Sequence, residues 1–89
     1  MIVTVEISHY PLRDDYEADI LSLIEIFRSN NQAKVWTNSM STYIKGEWKD
    51  VNKLLSRGLE TVWSKGNTSS TVMKIIPREL PVEEGFLEI

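Results

Sequence analysis

Apolar and polar residues alternate from the first positions of the chain. Val3, Val5 and Ile7 fall on one side, and Thr4, Glu6, Ser8 and Tyr10 on the other. That is the period-two pattern of a half-buried strand, and Pro11 closes it. Asp14 then reads as a helix N-cap, with Glu17 three residues on as an aspartate version of the capping box. Tyr16, Ile20, Leu23, Ile24 and Phe27 recur at helical spacing and make one apolar stripe. Asn30 and Asn31 suit a helix stop, since asparagine tolerates the left-handed conformation. This spacing predicts a first helix of roughly four turns.

The segments AKVWTN and MSTYIK are short and rich in β-branched and aromatic residues, as strands are. Their closeness leaves room only for a tight hairpin, and Gly46 is expected to end the second. From residue 47 to about 65, Val51, Leu54, Leu55, Leu59 and Val62 share one helical face, with Gly66 as the stop. Gly58 inside this helix costs about 1 kcal/mol relative to alanine, which close helix–sheet packing would explain. STVMKII forms a last strand, ended by Pro77. The order β-α-β-β-α-β predicts an α+β, ferredoxin-like domain: a four-stranded antiparallel sheet with both helices on one face. No repeat or linker interrupts residues 1–89, so a single domain is expected. Residues from about 78 onward carry Phe86, Leu87 and Ile89, too apolar an ending for a disordered tail. They are expected to dock on the sheet or on a neighbouring subunit.

Composition narrows the possible functions. The 89 residues are 42% hydrophobic and 26% charged, with a net charge of −3. A nucleic-acid surface needs a lysine and arginine excess, so no nucleic-acid partner is expected. With no cysteine, disulfides and thiolate metal sites are excluded. The single histidine, His9, cannot form a zinc site without several carboxylates, and it reads as an exposed strand-end residue. No apolar run is long enough for a bilayer. The alternating start without a basic flank does not resemble a leader, so a cytoplasmic protein without membrane insertion is the expectation.

Placing both helices on one face leaves the other face of the sheet uncovered. Thr4, Glu6, Ser8 and Tyr10 point there, joined by Trp36, Asn38, Ser41 and Tyr43 if the hairpin parity holds. An exposed apolar patch of this kind usually marks an interface, and a homo-oligomer, dimer or tetramer, is the simplest way to cover it, with the aromatics read as oligomer contacts ahead of ligand stackers. Lys74 reads as a surface lysine. The stretch TNSMST packs hydroxyls and an amide beside a strand. These are ordinary turn residues, and equally a set of hydrogen-bonding groups for a small ligand.

YPL after the first strand, VWTNSMSTYIKGEW, the following helix and TVMKII together resemble the thiamin/hydroxymethylpyrimidine-binding YkoF-type family, over essentially the whole chain. The resemblance implies binding of thiamin or its pyrimidine moiety without turnover, in vitamin salvage or delivery, with no cofactor. It also implies single-unit chains that oligomerise, so that a second subunit could complete the site. An aminopyrimidine pairs a ring-nitrogen acceptor with an amino donor, which an asparagine amide complements. Asn38 is the candidate for that role. Thr37, Ser39, Ser41 and Thr42 supply adaptable hydroxyls, and Met40 a polarisable neighbour for a ring. Trp36, Tyr43, Tyr10 and Glu6 are the candidates for the thiazolium cation, with Tyr43 also placed to narrow the pocket. The alternative function is an oligomeric interaction or regulatory module that uses the open sheet. Catalysis is not expected: no nucleophile–histidine–carboxylate spacing, metal cluster or phosphate loop stands out.

Overall fold

A computed structural model describes residues 1–12, 16–66 and 68–82. The elements are β1 (Ile2–Pro11), α1 (Glu17–Arg28), β2 (Lys34–Thr37), β3 (Thr42–Glu47), α2 (Trp48–Trp63) and β4 (Ser69–Ile76). They form one four-stranded sheet in the order β2-β3-β1-β4, with every neighbouring pair antiparallel. This is the ferredoxin-like α+β arrangement.

The alternation of β1 places the core. Val3, Val5 and Ile7 are buried together with Ile44 of β3, Leu23 and Phe27 of α1, and Val51, Leu54, Leu55, Leu59 and Val62 of α2. Both helices therefore pack on the face of the sheet that carries the odd-numbered residues of β1. Gly58 lies where α2 crosses α1 rather than against the sheet. A Cβ there would sit 2.5 Å from Phe27 Cε1 and 2.9 Å from Leu23 Cδ1.

Several local expectations take a different form. Asp14 lies outside the described residues. The cap position of α1 is Tyr16, which makes no side-chain cap bond. Asn30 does not adopt a left-handed conformation, since no described non-glycine residue has a positive φ. It stops α1 with its side chain instead. Its Nδ2 donates to the Phe27 carbonyl at 2.7 Å, and its Oδ1 accepts from the N–H groups of Gln32 and Ala33 at 2.8 and 2.6 Å. Gly46 does not end β3 but pairs with Val3 inside it. A Cβ there would come within 3.2 Å of Ala33 Cβ, so its bareness lets the chain entering β2 lie close. Gly66 stops α2 at φ 80°, the left-handed form that glycine adopts without a Cβ penalty.

The face of the sheet away from the helices is partly covered by this same chain. Thr4 Oγ1 donates to the Arg78 carbonyl at 2.8 Å and accepts from Leu80 N–H at 3.0 Å. Lys45 Nζ donates to the Leu80 carbonyl at 2.6 Å. Thr4 and Lys45 are in consequence only 4% and 5% exposed, although their side of the sheet carries no helix. Phe86, Leu87 and Ile89 lie outside the described residues.

Candidate functional site

The register divides the predicted ligand residues between the two faces. Trp36, Tyr43, Glu6 and Lys74 occupy consecutive positions in one row across the sheet, on the face without helices. Lys74 Nζ lies 3.7 Å from Glu6 Oε1 in an exposed cross-strand ion pair, and Lys45 Nζ sits 5.4 Å from the centre of the Trp36 ring. The residues of the hairpin tip gather elsewhere. At the end of the sheet a cavity of about 500 Å³ opens between α1, the last residues of β1 and the β2–β3 hairpin. This volume falls within the range of small-molecule sites.

One wall of the cavity is apolar: Tyr16, Ile20, Leu23, Ile24 and Phe27 of the α1 segment, with Ile7, Pro11 and Leu12 from β1 and its exit. The opposite wall is polar and runs from Thr37 to Thr42 along the hairpin, with Ser8, His9 and Tyr10 beneath. The structure thus brings Thr37, Asn38, Ser39, Met40, Ser41, Thr42 and Tyr10 to one place. It leaves Trp36, Tyr43 and Glu6 on the far side of the sheet, because strand neighbours alternate faces. Tyr43 cannot narrow this cavity. A larger depression of about 600 Å³ on α2, bounded by Asn52, Ser56, Glu60 and their neighbours, is an open shelf without a second wall.

Much of the hairpin's polar capacity is spent on its own shape. Asn38 Oδ1 accepts from the N–H groups of Met40 and Ser41 at 2.8 and 2.9 Å, an Asx turn of the kind asparagine favours. Its carbonyl oxygen is thereby occupied, so Asn38 offers a ligand the Nδ2 donors rather than the paired donor and acceptor expected of it. Ser41 Oγ donates to the Ile7 carbonyl at 3.1 Å and lies 2.9 Å from Ser8 Oγ. Thr37 and Thr42 hydroxyls meet at 3.2 Å. The cradle is internally braced as a result, but it presents fewer open hydrogen-bonding sites than its composition implied. Met40, 81% exposed, stands at the tip.

His9 is not an exposed strand-end residue. It follows Val3, Val5 and Ile7 in odd-numbered parity and is 9% exposed. Its Nδ1 lies 2.9 Å from Thr71 Oγ1 on the paired strand β4. Burial lowers its pKa below the usual 6.5, an effect partly opposed by the negative charge of Asp19. Asp19 of α1 is 3% exposed, and Lys65 Nζ reaches its Oδ1 at 3.3 Å. The alternation of β1 already carried the signal for His9. The helical stripe likewise held Ile20, Leu23, Ile24 and Phe27, which form core and cavity wall at once. Among the described residues, no group of three or more histidines, cysteines or carboxylates is placed to hold a metal ion. No helix among them is long and apolar enough to cross a membrane.

Comparison with known proteins supports the fold. No protein-family model matches the chain, and no curated protein does. Several solved structures do match. A hypothetical protein of Methanocaldococcus jannascii is 26% identical, with a TM-score of 0.73 over 88% of this chain and 81% of its own. A Streptococcus pneumoniae protein superposes with a TM-score of 0.82 at 18% identity, covering 94% and 96% of the two chains. A candidate thiamine biosynthesis/salvage protein of Thermotoga maritima gives 0.79 at 19% identity, over 94% of each chain.

Proposed function

We propose that this chain binds thiamin or its hydroxymethylpyrimidine moiety, without chemical turnover, in the cavity beside the β2–β3 hairpin. It would serve vitamin salvage or delivery in the cytoplasm. The observation that carries the reading is the two-walled cavity: apolar side chains of α1 facing a polar, internally braced hairpin. A flat heterocycle fits such a slot. Its ring faces lie against Ile20 and Ile24, the half-buried residues of the α1 wall, and one polar edge meets Ser39, Thr37 and Asn38 Nδ2. A thiazolium cation would use Tyr16 and Tyr10, the exposed aromatic residues lining the cavity, in place of Trp36 and Tyr43. Cation–π attraction there is worth about 0.5–2 kcal/mol. The Thermotoga maritima neighbour linked to thiamine biosynthesis or salvage supports this reading at the level of fold.

Titration calorimetry with thiamin and with hydroxymethylpyrimidine tests it. Saturable heat from at least one of them is expected, and flat traces with both at millimolar ligand would end the proposal.

A second reading, an oligomeric interaction module, draws on β4. This strand lies at the edge of the sheet, and Val72, Met73, Ile75 and Ile76 are each at least 41% exposed. Long apolar edges invite pairing with another chain. Sedimentation at micromolar concentration should give a multiple of 10.3 kDa, and a monomer mass would remove this reading.

A further inference from the structure

The alternation of β1 would be completed at no cost by a valine at position 9. An imidazole stands there instead, and only one of its nitrogens is engaged. Nδ1 is held by Thr71 Oγ1 at 2.9 Å, whereas Nε2 has no protein partner among the described residues. The residue is 9% exposed and lines the cavity. A buried polar atom left unpaired is destabilising, and native proteins keep few of them. Water or a ligand in the cavity can satisfy this nitrogen.

We propose that His9 is the recognition residue on the inner wall of the cavity, with Nε2 hydrogen-bonding the ring-nitrogen and amine edge of the bound aminopyrimidine. This deepens the binding reading given above and rests on it. In the free protein, water in the cavity can meet Nε2. A ligand that displaces the water must return the bond or lose affinity. An apolar ring of the same size is therefore rejected, because it strands a buried nitrogen.

The pairing with Thr71 adds a second property. A threonine hydroxyl can donate or accept. If Nδ1–H donates to Oγ1, Nε2 faces the cavity as an acceptor; if the hydroxyl donates to Nδ1, Nε2–H faces it as a donor. Rotation of the hydroxyl, coupled to tautomerisation in which the ring gives its Nδ1 proton to cavity water and takes one back at Nε2, thus changes the polarity offered to the ligand while the ring stays in place. Burial keeps the imidazole neutral near pH 7, the only state in which this choice exists. An aminopyrimidine presents both an acceptor and a donor along one edge, and His9 can meet either.

Because His9 is the single histidine of the chain, its ring nitrogens can be followed by NMR without further assignment. Titrating the ¹⁵N-labelled protein with hydroxymethylpyrimidine should move the Nε2 resonance strongly and Nδ1 weakly. By calorimetry, His9→Phe should bind at least tenfold more weakly. His9→Gln, which keeps a donor and an acceptor near the Nε2 position, should recover most of the loss. If the wild type binds but its imidazole nitrogens do not respond at saturation, the role given to His9 is wrong and the binding reading survives. If neither thiamin nor hydroxymethylpyrimidine binds the wild type, both fall together. Should His9→Phe not fold, the NMR titration still decides.

Discussion

Replacing Gly58 by alanine tests the packing that forms the apolar wall of the cavity. In an unconstrained helix interior the change stabilises by about 1 kcal/mol. Here the new Cβ would lie 2.5 Å from Phe27 Cε1, 2.9 Å from Leu23 Cδ1 and 3.2 Å from Phe27 Cδ1. Phe27 is 1% exposed, so its ring must shift against packed neighbours, and overpacking of this kind costs about 1–3 kcal/mol. The two effects oppose each other, and the clash outweighs the propensity. A net loss of about 1 kcal/mol is expected. Urea unfolding followed by tryptophan fluorescence measures it, with an unchanged m-value showing that the denatured state is the same. Phe27 and Leu23 also line the cavity, the nearest free space into which they can move. The same variant should therefore bind hydroxymethylpyrimidine more weakly. If Gly58→Ala is instead more stable by about 1 kcal/mol, as propensity alone gives, then α1 and α2 do not approach this closely and the cavity wall is misplaced.

Burial of His9 sets a pH dependence. Its folded pKa lies below the ordinary 6.5, so on acidification the unfolded chain takes up a proton before the folded one does. Its contribution to stability is complete above about pH 6.5 and is lost as pH falls through the folded pKa. Melting temperatures measured between pH 8 and about 5 should fall more steeply in the wild type than in His9→Gln, and parallel curves would contradict the burial. Thr4→Val removes the hydroxyl that holds the Arg78 carbonyl and the Leu80 N–H. Amide exchange at Leu80 should then speed up about two- to tenfold, given a net value of about 0.5–1.5 kcal/mol per bond, while β1 amides stay protected. Asn38→Ala takes away the acceptor for two hairpin N–H groups and should cost about 1 kcal/mol of stability. A variant as stable as the wild type would show that the Asx turn contributes nothing.

Most of the architecture was legible because its signals are local. The alternation of β1, the stripe of α1 and the face of α2 each reflect the period of one element. The buried sets Val3, Val5, Ile7 and Val51, Leu54, Leu55, Leu59, Val62 are those the periods implied. The details that differed depend on neighbours distant in sequence. Asn30 could stop a helix by backbone or by side chain, and it does so with an amide bonded to Phe27 on one side and Gln32 and Ala33 on the other. Gly46 looked like a terminator because nothing nearby shows that Ala33 lies against it. The hairpin part of the candidate site was read as one cluster because Trp36 to Tyr43 are contiguous, whereas a strand sends adjacent side chains to opposite faces.

What the sequence determined by itself was therefore the order of elements, the buried face of each, and a concentration of hydrogen-bonding groups at the hairpin. Hydrophobic period and turn chemistry are properties of a few neighbouring residues, and they survive without a partner. Only the tertiary structure decided where a cavity would open. The hairpin tip meets α1 across the end of β1, which separates Trp36, Tyr43 and Glu6 from it and brings His9 and Phe27 in. A cavity is the space left between elements, so its position follows from how they pack and from no single segment.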